Sequence, residues 1–445
     1  MNNSNIVFMV DDKKRDLVVA SMIAHALAQR NITCHLEPLE AYRAVLAAYR
    51  PQMIVFNHLT ASHLVKYSKR LAEMGVLTAV LLNEGLCYDD EERLYNAGKH
   101  HTTAHIDMFF SWNQPMKDSL IQLGFGNSTK IEVTGPPRFD TYFTPWSKLF
   151  PVEPRAQNSR PRVLVCTNFG LTKFHDLPKE QVDQFFSPWS SRLETYRDYW
   201  GLVNSHYNSS RRIFDYLNAL VQSHRFHLTI RPHPRENLKL YHAWMKNLNE
   251  KDRAWVRLDN TSNITQAMFD CDVHISCENC TTAMEAWIAG KPTVELVFDR
   301  HPVLYAPFFA ELQPLCDDPV LLPEIVEAQL KNPEQTSYRA GRKKHLARWC
   351  NAPEGKSIQK IADLIAEALR NQKSPDWSQL NWNDFRRAWK LKLFKMLGLA
   401  YHFDPLLPLK KILAPHKYAM KFGVYQKAIK PSHVRYMQKE LEKIS

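Results

Sequence analysis

Several absences narrow the field before any motif is read. Eight cysteines among 445 residues are too few for a disulfide scaffold, and a reducing compartment would keep them as thiols. No run of about 18 consecutive apolar residues occurs, which argues against a membrane-spanning helix. The start lacks a basic stretch followed by a long apolar one; 6–10 (IVFMV) is short and reads as a strand, so the expected location is the cytosol. Neither a Walker-type phosphate loop nor a G-x-G-x-x-G is present, against an ATPase or a dinucleotide oxidoreductase. No nucleic-acid-binding module is recognisable.

What remains is an ordinary globular composition, 44% hydrophobic and 23% charged, which excludes disordered and collagen-like classes. The length suggests two or three domains. Net charge is +12, unevenly placed. From Ser374 onward fourteen basic residues stand against five acids, a net +9 that leaves +3 for everything before it. A near-neutral body with a basic tail seeks a polyanion. The tail mixes its cations with Trp389, Leu391, Leu393, Phe394, Met396 and Leu397, the pattern of a helix lying on anionic lipid; an ordinary helix docked on the body is the alternative.

Short β-branched and apolar runs at 6–10, 32–36, 53–56, 77–82, 108–110 and 131–133 alternate with amphipathic segments at 17–29 and 61–74. That alternation predicts a parallel sheet covered on both faces. A polar, proline-bearing stretch over 145–161 marks a boundary. Strands then recur at 163–166, 227–230, 255–257, 273–276 and 293–296, with helices near 211–223, 238–248 and 281–289, then 335–349 and 357–371, of which one is a candidate to cross back to the first domain. The expected organisation is an α/β chain of two Rossmann-like domains, 1–150 on the acceptor side and 151–373 on the nucleotide side, whose sheets face a central cleft. A basic helical tail over 374–445 completes it.

Three stretches carry candidate chemistry. In 273–292 a strand leads through Glu278, Asn279 and Cys280 into a helix opened by Thr281 and Thr282, with Glu285 one turn on. Backbone N–H groups and two hydroxyls there suit a phosphate, and Glu285 a ribose; an N-cap pair and a solvated glutamate is the bland alternative. Arg231-Pro232-His233-Pro234 follows a strand, and its prolines stiffen a turn whose imidazole can meet a phosphate or protonate a leaving group. Asn83-Glu84-Gly85 ends a first-domain strand and places a carboxylate to take a proton from an acceptor hydroxyl. Cys277 and Cys280 form a C-x-x-C without a second pair at zinc-ligand spacing. An aromatic insert over 171–201 reads as an acceptor platform or as a helical hairpin packed on its own rings.

Together 11–17 (DDKKRDL), 82–85 (LNEG), 133–140 (VTGPPRFD), 165–169 (VCTNF), 230–237 (IRPHPREN) and 279–292 resemble the bacterial surface carbohydrate biosynthesis proteins, glycosyltransferases of GT-B architecture. More distantly they are similar to polysialyltransferases and Kdo transferases that use CMP-activated sugars. The resemblance spans roughly residues 6–296. It implies Glu84 as base, His233 on the donor phosphate, Thr281 and Thr282 holding that phosphate, and Glu285 on the ribose, with Asn279 and Asn168 also on the donor side. The acidic motif departs from the acid-Asp-Gly form of polysialyltransferases, and Thr-Thr replaces serines. It implies transfer of a nonulosonic acid (sialic or pseudaminic) or Kdo to a capsule, O-antigen or lipooligosaccharide. The leaving CMP carries one phosphate, so no metal cofactor is expected. The sugar's own carboxylate needs a partner, for which Arg231, Arg138 or Asn168 are candidates. Expected partners are the nucleotide sugar, a lipid-linked or surface glycan and the inner face of an anionic membrane, not nucleic acid. The rivals are a CDP- or UDP-linked donor, a non-catalytic glycan-binding scaffold, and a response-regulator receiver, which 6–57 resembles but for Phe56-Asn57-His58 at the phosphoacceptor position.

Overall fold

The computed structural model describes residues 4–82, 91–99, 101–152, 154, 159–191, 194–299, 301–302, 304–305, 307–333, 336–414, 418, 421 and 428–444. The chain forms two compact units, Met1–Leu149 with Arg348–Ser445, and Phe150–Ala347. The boundary expected near 373 therefore falls earlier, inside the helix Thr336–Cys350.

In the first unit β1 (Ser4–Val10), β2 (Ile32–Pro38), β3 (Met53–Phe56), β4 (Leu77–Leu81), β5 (Met108–Ser111) and β6 (Lys130–Val133) form one sheet. All pairings are parallel, in the order β2-β1-β3-β4-β5-β6. β3 and β5 are buried at every position, which is why they read as unbroken apolar runs. The helix Asp16–Ala28 lays Leu17, Ala20, Ile23 and Leu27 into the core.

That core is completed from the far end of the chain. The helix Ser357–Arg370 buries Ile358, Ile361, Ile365 and Leu369 in the same cluster as Leu17 and Ile23. Its apolar stripe at i, i+3, i+7 has to find a partner, and the first unit's exposed helix face supplies one. This is the physical reason the 357–371 pattern does not belong with residues 150–347. The tail is docked as well. Met437 and Leu441 of the helix Pro431–Ile444 enter this core, and Asp384 of the helix Trp382–Met396 pairs with Arg70 at 2.6 Å.

In the second unit β7 (Arg162–Cys166), β8 (His227–Arg231), β9 (Val256–Leu258), β10 (Val273–Cys277), β11 (Thr293–Leu296) and β12 (Leu315–Cys316) form a parallel sheet ordered β12-β11-β10-β7-β8-β9. β12 has two residues and leaves no periodic signal. The helix expected from 211 begins at Tyr199 and runs to Gln222, capped by the Asp198 carboxylate. Its first half buries Ser205, His206, Ser209 and Ser210, so polar residues occupy the core face and hide the period. In the aromatic insert Phe174, Val182, Phe186 and Val203 form their own cluster, with Phe186 stacked on Tyr199 at 4.9 Å. The insert is thus packed on its own rings.

Candidate functional site

In the second unit β7, β8 and β9 succeed one another in one direction, and the chain then returns to β10 on the other side of β7. The strand order reverses between β7 and β10. Loops leaving the carboxyl ends of two such strands diverge, and the crevice between them is where doubly wound sheets bind ligands. The sequence-derived donor motifs leave β10, β7 and β8, three adjacent strands. Asn168, His233, Asn279 and Thr281 therefore share one sheet edge.

The turn after β10 holds two consecutive non-glycine residues in the left-handed region, Glu278 at φ 54° and Asn279 at φ 55°. Such residues cost roughly 1–3 kcal/mol each and persist where their surroundings over-determine them. Here two clamps do so. Asn168 Nδ2 donates to the Glu278 carbonyl at 2.9 Å. From beneath, the Glu295 carboxyl accepts the Asn279 backbone N–H, the Ser276 hydroxyl at 2.5 Å and Gln313 Nε2 at 3.1 Å. Burial pushes Glu295 up to about 7 against those donors. Glu278 rises to about 8, chiefly through burial, with the Ser209 hydroxyl opposing and the Glu295 and Asp299 charges assisting.

The two threonines separate in role. Thr281 stands at the N-cap of the helix Thr282–Ile288, and its hydroxyl makes no capping bond. The Thr282 hydroxyl is engaged internally, 3.0 Å from His274 Nε2 and 3.1 Å from Cys280 Sγ. Burial drives His274 down to about 3, so its ring is neutral at physiological pH. Of the hydroxyl pair expected on a phosphate, Thr282 is thus hydrogen-bonded to the turn's own neighbours while Thr281 makes no capping bond. Glu285 is buried, with 4% exposure, which overturns the solvated alternative. Cys277 and Cys280 are free thiols raised by burial, and the described residues contain no cluster of metal-ligating side chains.

The turn after β8 is organised by a residue to which the sequence reading gave no role. Glu236 accepts the backbone N–H of His233 at 2.9 Å and of Phe169 at 3.0 Å. It also accepts the Thr167 hydroxyl at 2.8 Å and the Tyr241 hydroxyl at 2.6 Å. One carboxylate thus ties the β7 loop to the β8 loop. Burial raises Glu236 and the four donors oppose the rise. His233 Nδ1 accepts from Arg235 N at 3.2 Å, which puts the neutral ring's proton on Nε2. The ring lies against Gly170, where an added Cβ would sit 3.2 Å from Nδ1 and would press the ring aside by a few tenths of an ångström. Lys173 is lowered by burial and then by the charge of Arg235. Arg235, beside His233, thus has a second cation within electrostatic reach, and an anion there would meet both charges.

Arg231 stands apart from that cluster. Its guanidinium pairs with Asp259 at 3.3 Å and donates to the Ser262 carbonyl at 2.7 Å. Burial alone would raise Asp259, but bonds from Ser262 and Thr261 and the Arg231 charge bring it to about 2. Arg231 is therefore anchored toward the loop after β9. Asn168 is likewise occupied by Glu278.

In the first unit, Asn83-Glu84-Gly85 lies outside the described residues. Strand order there reverses between β1 and β3. A pocket with about 490 Å³ of open space lies at those carboxyl ends, lined by Val10, Asn57, Leu81 and Trp112 together with Arg15, Asp16 and Arg138. The Arg138 guanidinium sits 5.8 Å from the Trp112 ring centre and 5.2 Å from that of Phe139, and Asn57 donates to Asp16 at 3.0 Å.

No family model and no curated protein matches the chain. Among solved structures it is similar to a variant of the wall teichoic acid polymerase TagF, at 12% identity and TM-score 0.50, covering 83% of this chain and 89% of that one. It is equally similar to a putative UDP-N-acetylglucosamine 2-epimerase from Listeria monocytogenes, at 12% identity and TM-score 0.50 over 84% of this chain and 99% of that one. At this identity the likeness speaks for architecture, and with the two six-stranded parallel sheets it shows a GT-B α/β fold carrying a helical C-terminus.

Proposed function

We propose that this chain is a glycosyltransferase that moves a nonulosonic or Kdo-type sugar from CMP to a bacterial surface glycan. One observation carries the reading: at the second unit's switch point a braced phosphate-sized turn, Glu278 to Thr281, shares a sheet edge with His233 and the Lys173–Arg235 pair. In this proposal the Thr281 hydroxyl and turn amides meet the single phosphate of CMP. His233 directs its Nε2–H at charge on the departing nucleotide, and preorganised donors of this kind need no reorganisation as charge develops. Lys173 and Arg235 take the donor sugar's carboxylate, and Arg138 the acceptor side. Glu84 is the proposed base toward the accepting hydroxyl. A leaving group with one phosphate needs no divalent cation.

Calorimetric titration of the purified chain with CMP, CDP and UDP tests the donor. Preference for CMP, followed by glycan modification from a CMP-sugar, is the expected result; preference for UDP or CDP overturns the donor class. That second donor class is favoured by the neighbours' names, a teichoic acid polymerase and a UDP-sugar epimerase.

A further inference from the structure

The helix Trp382–Met396 has two opposed faces. One, with Asp384, Ala388 and Leu391, is buried against the first unit, and Asp384, the helix's only acid, is held there by Arg70. The other carries Trp382, Phe385, Trp389 and Met396, spaced three, four and seven residues apart and hence on one side at 3.6 residues per turn. Trp382 is 79% exposed, Trp389 71% and Met396 83%. Lys392 flanks this stripe on one side, Arg386 and Lys390 on the other. The short helix Leu407–Leu413 repeats the combination, exposing Leu409, Ile412 and Leu413 beside Lys410 and Lys411.

We infer that this outer face binds an anionic lipid surface. An exposed apolar stripe of this size marks an interaction site. Cations on both flanks, with no acid between them, match headgroup phosphates rather than a mixed-charge protein surface. A second copy of the same face would bring Arg386, Lys390 and Lys392 against their own kind. Helices of this composition lie in the interfacial plane, with tryptophans at the headgroup boundary. The net +9 of residues 374–445 acts in the same direction. The docked face fixes the helix to the first unit, so its outer face is presented without refolding.

Flotation of the full chain with phosphatidylcholine vesicles, with and without phosphatidylglycerol, tests this. The protein is expected to float only with the anionic vesicles. Replacing three surface cations (Arg386→Gln, Lys390→Gln, Lys392→Gln) should lower partitioning by about 100-fold, at roughly fivefold per charge near the surface. Trp382→Ser with Trp389→Ser should abolish flotation while leaving melting temperature and CMP affinity unchanged, since both rings are exposed. No flotation of the native chain, or equal flotation of the variants, overturns the inference. So does a dimer in light scattering that the tryptophan variant turns into a monomer. CMP titration is read separately, so failure of the donor proposal leaves this result interpretable.

Discussion

Asn168 Nδ2 lies 2.9 Å from the Glu278 carbonyl, so a side chain that follows β7 holds in place the turn that follows β10. If the proposed function holds, Asn168 acts on the nucleotide through Glu278 and Asn279, as a positioning residue. Asn168→Ala should weaken CMP binding about tenfold, the scale of one lost hydrogen bond that positions a turn. Calorimetry measures this; unchanged affinity would remove Asn168 from the site.

Glu236 gathers four donors, three from two loops and the fourth, Tyr241, from the helix Leu238–Asn247. Glu236→Gln sets an amide NH2 against some of those donors, and the expected cost is about 2–3 kcal/mol in urea unfolding. CMP affinity should fall with it, because His233 loses its backbone anchor. Glu236→Asp, which keeps the acceptor, should recover part of both.

His233→Asn is expected to lower turnover by 100-fold or more with a smaller change in CMP affinity, the division expected of a group that assists departure of the nucleotide. Equal losses in both would assign the ring to binding alone.

The buried carboxyls set a pH dependence. Glu278 and Glu295 have folded values of about 8 and 7 against an ordinary 4.5, so the folded chain holds their protons more firmly than the unfolded chain does. Their contribution to stability is complete below about 4.5 and is lost as pH rises through 7 to 8. Glu278→Gln, neutral at every pH, should flatten the fall in melting temperature between those limits and stabilise the chain at pH 8 by on the order of 1 kcal/mol or more. A melting series from pH 5 to 9 reads this directly.

Ile361 sits in the first unit's core although it follows the second unit in sequence. Ile361→Ala should destabilise that unit by about 2–5 kcal/mol, the range for a buried large-to-small change. If the two units unfold in resolved steps, only the first unit's transition should move.

Much of the fold was legible because parallel strands buried on both faces must be apolar along their length. Met53–Phe56 and Thr293–Leu296 could be bounded to the residue on that ground. The donor motifs were legible as turns, since Pro232, Pro234 and the Thr281–Thr282 pair mark strand ends by backbone chemistry. Composition and period, acting over a few neighbouring residues, fixed these elements and the basic character of the tail.

Tertiary structure alone decided what each polar side chain faces. Thr281 and Thr282 are adjacent in sequence, yet a helix turns neighbours about 100° apart, and only Thr282 meets His274. Arg231 and Arg235 flank one turn, yet a strand's alternation and Asp259 draw Arg231 aside while Arg235 stays beside His233. Glu236 and Glu295 became legible as supports only once strands distant in sequence lay side by side. The helix Ser357–Arg370 joined the first unit for the same reason: an apolar stripe records that a partner exists, and packing across some 340 residues of chain determines which one it is.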